Sequence, residues 1–186
     1  MGEIMRYFTA AALSVAILAA GAASADAARR CGARIWTESG EQRAFVGKYL
    51  AACDSNKSCK AVTYVKDATA PLEWSHRLAF LKAGADAPWI IELTAVQPMM
   101  DASEGFDFVV DNHLPVRVPP EVITTPGAIN DYRLNGDLTA PLLKDFGPGA
   151  NADWRYKATG TKAGTSAVLS LRGLKRAIRW VECMQK

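Results

Sequence analysis

Tyr49-Leu50-Ala51-Ala52-Cys53-Asp54-Ser55-Asn56-Lys57-Ser58-Cys59-Lys60-Ala61-Val62-Thr63-Tyr64-Val65-Lys66 is the stretch on which the fold turns. Two more apolar runs flank five polar, turn-forming residues, and a cysteine stands at each end of the turn. Cys59 to Lys66 nearly alternates and is rich in β-branched and aromatic residues, which is a strand signal. The polar stretch reads as a hairpin loop. A hairpin brings Cys53 and Cys59 together, and their pairing closes a ring worth about 2.4 kcal/mol in chain-entropy terms. The chain has four cysteines. An even count in an exported chain reads as two disulfides. Cys31 and Cys183 therefore pair by elimination, closing a long loop worth roughly 5 kcal/mol on the same basis. Zinc is disfavoured, because the only close cysteine pair has five intervening residues, wider than structural sites use. The C-x-x-C of a redox-active pair is absent.

Disulfides require an oxidising compartment, and the first 25 residues supply a route to one. Arg6 precedes an uncharged run from Phe8 to Ala23, with an apolar centre from Ala10 to Ala20 and Ala23-Ser24-Ala25 as a small-x-small cleavage signal. Residues 1–25 read as a signal peptide and residues 26–186 as a single disulfide-bonded β-rich domain. The run is too short and Ala-rich for a membrane anchor, and Ala28-Arg29-Arg30 before Cys31 is no lipobox. No transmembrane span is expected after signal cleavage.

Outward from the hairpin, residues 26–44 read as polar and irregular, and Phe45 to Ala52 as one run into the cysteine loop. Short strand patterns follow at Arg77–Lys82, Pro88–Val96, Phe106–Asp111, Leu114–Val118, Val122–Thr125 and Asp131–Leu134. Asn135-Gly136 reads as a hairpin signal. Leu138, Leu142, Leu143 and Phe146 fit a short helix that stops at Gly147. Strands return at Asp153–Thr159 and Thr165–Leu171. Leu174, Ala177, Ile178 and Val181 then form the apolar stripe of a C-terminal amphipathic helix bordered by Trp180. Helical patterns do not alternate with the strands. The fold class expected is mainly β, an antiparallel β-sandwich-like domain with one or two packed helices, the C-terminal one included.

The Tyr49–Ala61 stretch also resembles the opening motif, aromatic-x-x-x-Cys-Asp-…-Cys-x-Ala, of a bacterial periplasmic family of unknown function. Ser170-Leu171-Arg172-Gly173-Leu174-Lys175-Arg176-Ala177 and Gln185 resemble its closing Ser-Leu-x-Gly-x-x-x-Ala…Gln motif. The closing pattern is similar to that of the invasion-associated locus B family, exported envelope proteins of alphaproteobacteria. The resemblance implies a periplasmic or secreted β-rich domain of a Gram-negative bacterium and carries no catalytic residues with it.

The chain has 186 residues, 49% hydrophobic and 22% charged, with a formal net charge of +3. Disorder is excluded as its main state, and the charge is small for a nucleic-acid binder. No nucleophile elbow, P-loop, zincin or dinucleotide motif occurs. The only histidines, His76 and His113, read as surface residues at strand ends. Asp107 and Asp111, on one strand face, are spaced about 13 Å apart, too wide for a carboxylate dyad. No catalytic, cofactor-binding or metal residue is singled out, and no cofactor is expected. The strongest positive feature is the basic face of the last helix, where Arg172, Lys175, Arg176 and Arg179 stand within eight residues. It reads either as a solvated face or as a contact for an anionic partner. The expectation is a non-enzymatic exported envelope or host-interaction protein, binding an envelope component or partner protein. A periplasmic inhibitor or chaperone-like binding module is the second reading, and a small hydrolase the third.

Overall fold

Alternation of apolar and polar residues over short runs dictates strands, and strands dominate the computed structural model, which describes residues 29–70, 73–128, 130–134 and 136–186. The leader expected at residues 1–25 lies outside the described residues. In chain order the strands are β1 (Arg29–Arg30), β2 (Ala33–Arg34), β3 (Trp36–Glu38), β4 (Glu41–Val46), β5 (Tyr49–Cys53), β6 (Cys59–Lys66), β7 (Trp74–Lys82), β8 (Ile90–Ala95), β9 (Phe106–Val110), β10 (Val116–Val118), β11 (Ile123–Thr124) and β12 (Asp131–Leu134). Helix α1 (Gly136–Phe146), strands β13 (Asn151–Lys157) and β14 (Gly164–Ser170), and helix α2 (Leu174–Met184) complete the order.

An eight-stranded sheet runs β11-β12-β8-β7-β6-β5-β4-β3, a four-stranded sheet runs β10-β9-β13-β14, and β1 and β2 form a small hairpin. All pairings are antiparallel. The fold is therefore mainly β with two helices, as expected.

One row of inward side chains crosses the large sheet: Ala44 opposite Ala51, Ala51 opposite Ala61, Ala61 opposite Phe80, and Phe80 opposite Ile91. All five are fully buried. The three alanines lie where α2 packs on β4, β5 and β6, and their small size admits a helix close to the sheet. Farther along the sheet, β14 packs against β6 and β7. Large rings fill the space there: Phe146 of α1 meets Phe80 and Phe108 edge-on, with centroids 6.3 and 5.0 Å away. Burial of this aromatic and aliphatic interior is the main stabilising term.

Four local expectations are corrected. Residues 29–46 carry four short strands rather than an irregular lead-in; apart from Phe45 their exposed residues are Arg, Thr and Glu, so the alternation is masked by charge at a sheet edge. The Phe45–Ala52 run is two strands, parted by a turn at Gly47-Lys48. Gly136 opens α1 instead of closing a hairpin. In α2 the buried arc is Leu174, Ala177, Trp180, Val181 and Met184, whereas Ile178 is only half-buried. The helix is rolled so that the indole enters the core and Ile178 faces its rim.

Candidate functional site

Two glycines fix where α2 starts. Gly47, in the β4–β5 turn, has φ +67°, and Gly173, before α2, has φ +98°. A Cβ on Gly47 would lie 2.9 Å from the Cα of Gly173 and from the carbonyl of Arg172. A Cβ on Gly173 would lie 2.8 Å from the carbonyl of Val46. Both conditions, left-handed backbone and no room for a side chain, require glycine. Lys48 N–H donates to the Arg172 carbonyl at 3.2 Å and closes the crossing.

The rest of the two motifs locks the same helix at both ends. Tyr49 Oη donates to the Ser170 carbonyl at 2.9 Å. Leu171 and Ala177 are buried. At the far end, buried Gln185 donates through Nε2 to the carbonyls of Lys57 (3.0 Å) and Lys82 (3.2 Å). Lys57 Nζ returns a bond to the Gln185 carbonyl at 2.9 Å. Asp54 Oδ1 accepts from the N–H groups of Asn56 and Ser58, both at 2.9 Å, and so shapes the loop. Both expected disulfides form, Cys53–Cys59 and Cys31–Cys183. The second ties the β1–β2 hairpin to the last turn of α2. The motif residues are scaffold.

That scaffold sets the basic residues of α2 in different places. Arg172, Lys175, Arg176 and Arg179 are all exposed. Arg172 stands within electrostatic reach of Asp111, whose carboxyl is held below its ordinary value mainly by the N–H groups of Ala150 and Asn151. Arg176 and Arg179 line a concavity of about 570 Å³ together with Arg34, Phe45 and Trp180, floored near the Cys31 end of the disulfide. Arg34 and Phe45 continue into a second hollow with Ile35 and Trp36. Phe45 is 71% exposed and stacks on Trp36 with centroids 5.1 Å apart. Lys175 and Arg179 border a third hollow beside Leu143, Pro148 and Ile178. No acidic residue lines any of the three.

Part of the charge elsewhere is compensated. On the outer face of the large sheet, Glu92 pairs with Arg77 (2.7 Å) and Arg133 (2.8 Å), and Glu41 with Lys60 (2.6 Å). A groove of about 500 Å³ on the smaller sheet is lined by Glu104, Asp107, Arg117, Arg155 and Lys157. Each of those charges has an ion-pair partner, Arg117 with Asp107, Lys157 with Glu104 and Arg155 with Asp153. Among the described residues Arg34, Arg176 and Arg179 have no ion pair and remain available to an outside anion.

His76 is not the surface histidine expected from its strand-end position: it is 5% exposed. Its Nε2 lies 2.7 Å from Tyr156 Oη, and Tyr156 donates its one proton to the Pro98 carbonyl at 2.9 Å. His76 therefore donates from Nε2, and its Nδ1 accepts from Ser75 Oγ at 2.9 Å. Burial holds its pKa below the ordinary value. Both nitrogens are spent within the interior. Asp107 pairs with Arg117, and Asp111 accepts from two backbone N–H groups. Among the described residues no three His, Cys, Asp or Glu side chains gather as a metal site, and no helix is long and apolar enough to cross a membrane.

Sequence reasoning found two of the three arginines of the groove and missed Arg34 and Phe45. No family model and no curated protein matches the chain. Among solved structures, invasion associated protein B from Bartonella henselae superposes with a TM-score of 0.61, covering 77% of this chain and 97% of that one at 11% identity. The two chains share a fold, the one the sequence motifs had implied.

Proposed function

We propose that this chain is a non-enzymatic exported protein of the invasion-associated type, which works outside the cytoplasm by binding an anionic component of an envelope or a partner protein. The observation that carries the reading is the concavity between α2 and the β1–β2 hairpin, which no acidic residue lines. There Arg34, Arg176 and Arg179 line one concavity without an ion pair among the described residues. Two disulfides and the signal-like segment at residues 1–25 favour an oxidising compartment. The shared fold with invasion associated protein B favours the same class of role. The non-enzymatic reading is supported by the engagement of His76 inside the core and by the separate fixation of Asp107 and Asp111.

The test is retention of envelope extract on the immobilised, disulfide-bonded protein. The wild type should retain anionic material in a salt-sensitive manner, and Arg176→Glu with Arg179→Glu should abolish retention with the melting temperature unchanged. Equal retention by both proteins overturns the reading.

A further inference from the structure

An open sheet edge displays a row of backbone N–H and C=O groups, and folded proteins blunt such rows with charge, proline or brevity. Among the described residues the two larger sheets have four outer strands, and three are blunted. β3 carries Glu38, which Arg43 holds in an ion pair. β11 has two residues, and β10 carries Arg117 and lies between Pro115 and Pro119. β14 is different. Its seven residues, Gly164-Thr165-Ser166-Ala167-Val168-Leu169-Ser170, hold no charge and no proline, and they pair with β13 from end to end without a bulge.

The phase of the ladder identifies the free groups. Asp111 N–H donates to the Asn151 carbonyl, so Asn151, Asp153 and Arg155 turn their backbone groups to β9 and the alternate residues of β13 turn theirs to β14. Leu171 N–H donates to the Ala150 carbonyl. Leu169, Ala167 and Thr165 therefore bond to β13, while Ser170, Val168, Ser166 and Gly164 turn their groups to the open side. Tyr49 takes the Ser170 carbonyl. Gly164, Ser166 and Val168 are exposed, and among the described residues nothing bonds to the outward N–H and C=O groups of Ser166 and Val168.

Alternating donors and acceptors at strand spacing are matched by an extended polypeptide, whereas a lone anion or a headgroup meets one group and not the repeat. We infer that β14 pairs antiparallel with the β14 of a second copy of this chain, about a two-fold axis at Ser166. In this register every free group has a mate: Ser166 stands opposite Ser166 and Val168 opposite Gly164, and each pair exchanges both N–H···O bonds. An axis at Ala167 would bring Gly164 opposite Ser170, whose carbonyl Tyr49 already holds. An axis at Thr165 would bring Val168 opposite Lys162, outside the strand. A second copy is favoured over a foreign strand because β14 fits its own image. No charge meets a like charge, and Val168, the one bulky exposed side chain of the strand, falls opposite a glycine. The smaller sheets of the two copies become continuous. This edge is separate from the basic concavity, which no residue of β14 lines.

Sedimentation equilibrium of the disulfide-bonded protein tests it. The mass should rise with concentration from one chain to two, and the dissociation constant should barely change with salt, because the pairing strand is uncharged. Ser166→Pro removes an outward N–H that β13 does not use, a change an edge strand tolerates. It should weaken the dimer by more than about tenfold and leave melting nearly unchanged. Ser166→Lys and Ser166→Glu each set like charges opposite one another across the axis and should weaken the dimer several-fold. Their equimolar mixture should regain wild-type dimerisation as a heterodimer. That rescue requires Ser166 to face Ser166, and a merely destabilised fold would not show it. A wild type that stays monomeric, a dimer untouched by Ser166→Pro and Ser166→Lys, or no rescue in the mixture overturns the inference. A monomer that retains a protein from envelope extract and loses it on Ser166→Pro assigns the edge to a foreign strand and overturns the second copy.

Discussion

Tyr49 and Ser170 are 121 residues apart in sequence, yet the phenol of one donates to the carbonyl of the other at 2.9 Å. The bond joins the strand that enters the cysteine loop to the strand that leads into α2. The Tyr49 ring is fully buried and its hydroxyl pKa is raised by burial, so the phenol keeps its proton. Around this bond the β4–β5 turn, the end of β14 and the start of α2 form one joint.

Gly47→Ala and Gly173→Ala should each loosen that joint. Both impose a left-handed backbone on alanine and a Cβ inside 3.0 Å of neighbouring backbone. Each should cost about 2 kcal/mol or more. Gly40→Ala has a similar φ of +79° but meets nothing within 4 Å, and should cost about 1 kcal/mol. Urea midpoints of the three variants check the difference; equal midpoints contradict the crossing.

Trp180 and Ile178 should exchange the importance a helical wheel gives them. Trp180 is 2% exposed, and Trp180→Ala should cost about 3–5 kcal/mol. Ile178→Asp places its charge at a half-buried rim within reach of water, and should cost nearer 1 kcal/mol. Denaturant unfolding of both variants checks the order, and the reverse order refutes the observed roll of α2.

Stability should fall on mild acidification because of His76. Its folded-state pKa is lowered by burial from the ordinary 6.5, so below that pH the unfolded chain binds the extra proton. The contribution is whole above about 6.5 and is lost as pH falls toward the folded pKa, with a slope of at most about 1.4 kcal/mol per pH unit. Unfolding midpoints at neutral and mildly acidic pH should differ, and His76→Gln should flatten the difference. An unchanged slope in the variant assigns the effect to another group.

The two disulfides should differ in weight. Cys31–Cys183 spans 152 residues and Cys53–Cys59 spans 6. Chain entropy gives about 5 kcal/mol for the longer loop against about 2.4 for the shorter. Paired Cys→Ser variants should therefore rank in that order in denaturant. Proteolysis without reduction should release Cys53 with Cys59 and, separately, Cys31 with Cys183.

Much of the architecture was legible in local pattern. The alternation of Leu78 and Phe80, or of Ile91 and Leu93, names the inward face directly, and all four are fully buried. The hairpin loop between Cys53 and Cys59 likewise announces its own bridge. The groove was not legible, because Arg34 and Phe45 reach α2 only through register and the Cys31–Cys183 bridge, with more than a hundred residues of chain between. His76 was misplaced for the same reason: its partner, Tyr156, lies 80 residues away. Trp180 was misplaced because a helical wheel weighs periodicity alone. The three alanines in register on β4, β5 and β6 open the space beneath α2.

The bond between Cys31 and Cys183 also has a mechanical meaning. A pull applied through the residues ahead of Cys31 and those after Cys183 meets a covalent link before it meets any hydrogen bond. The 152-residue span between them lies inside the ring and carries no load. Stretched through those two points the oxidised protein should extend without a sawtooth of strand rupture. After reduction, the same pull should unzip the sheets. A protein held at one end and bound at the other would in this way transmit tension without unfolding.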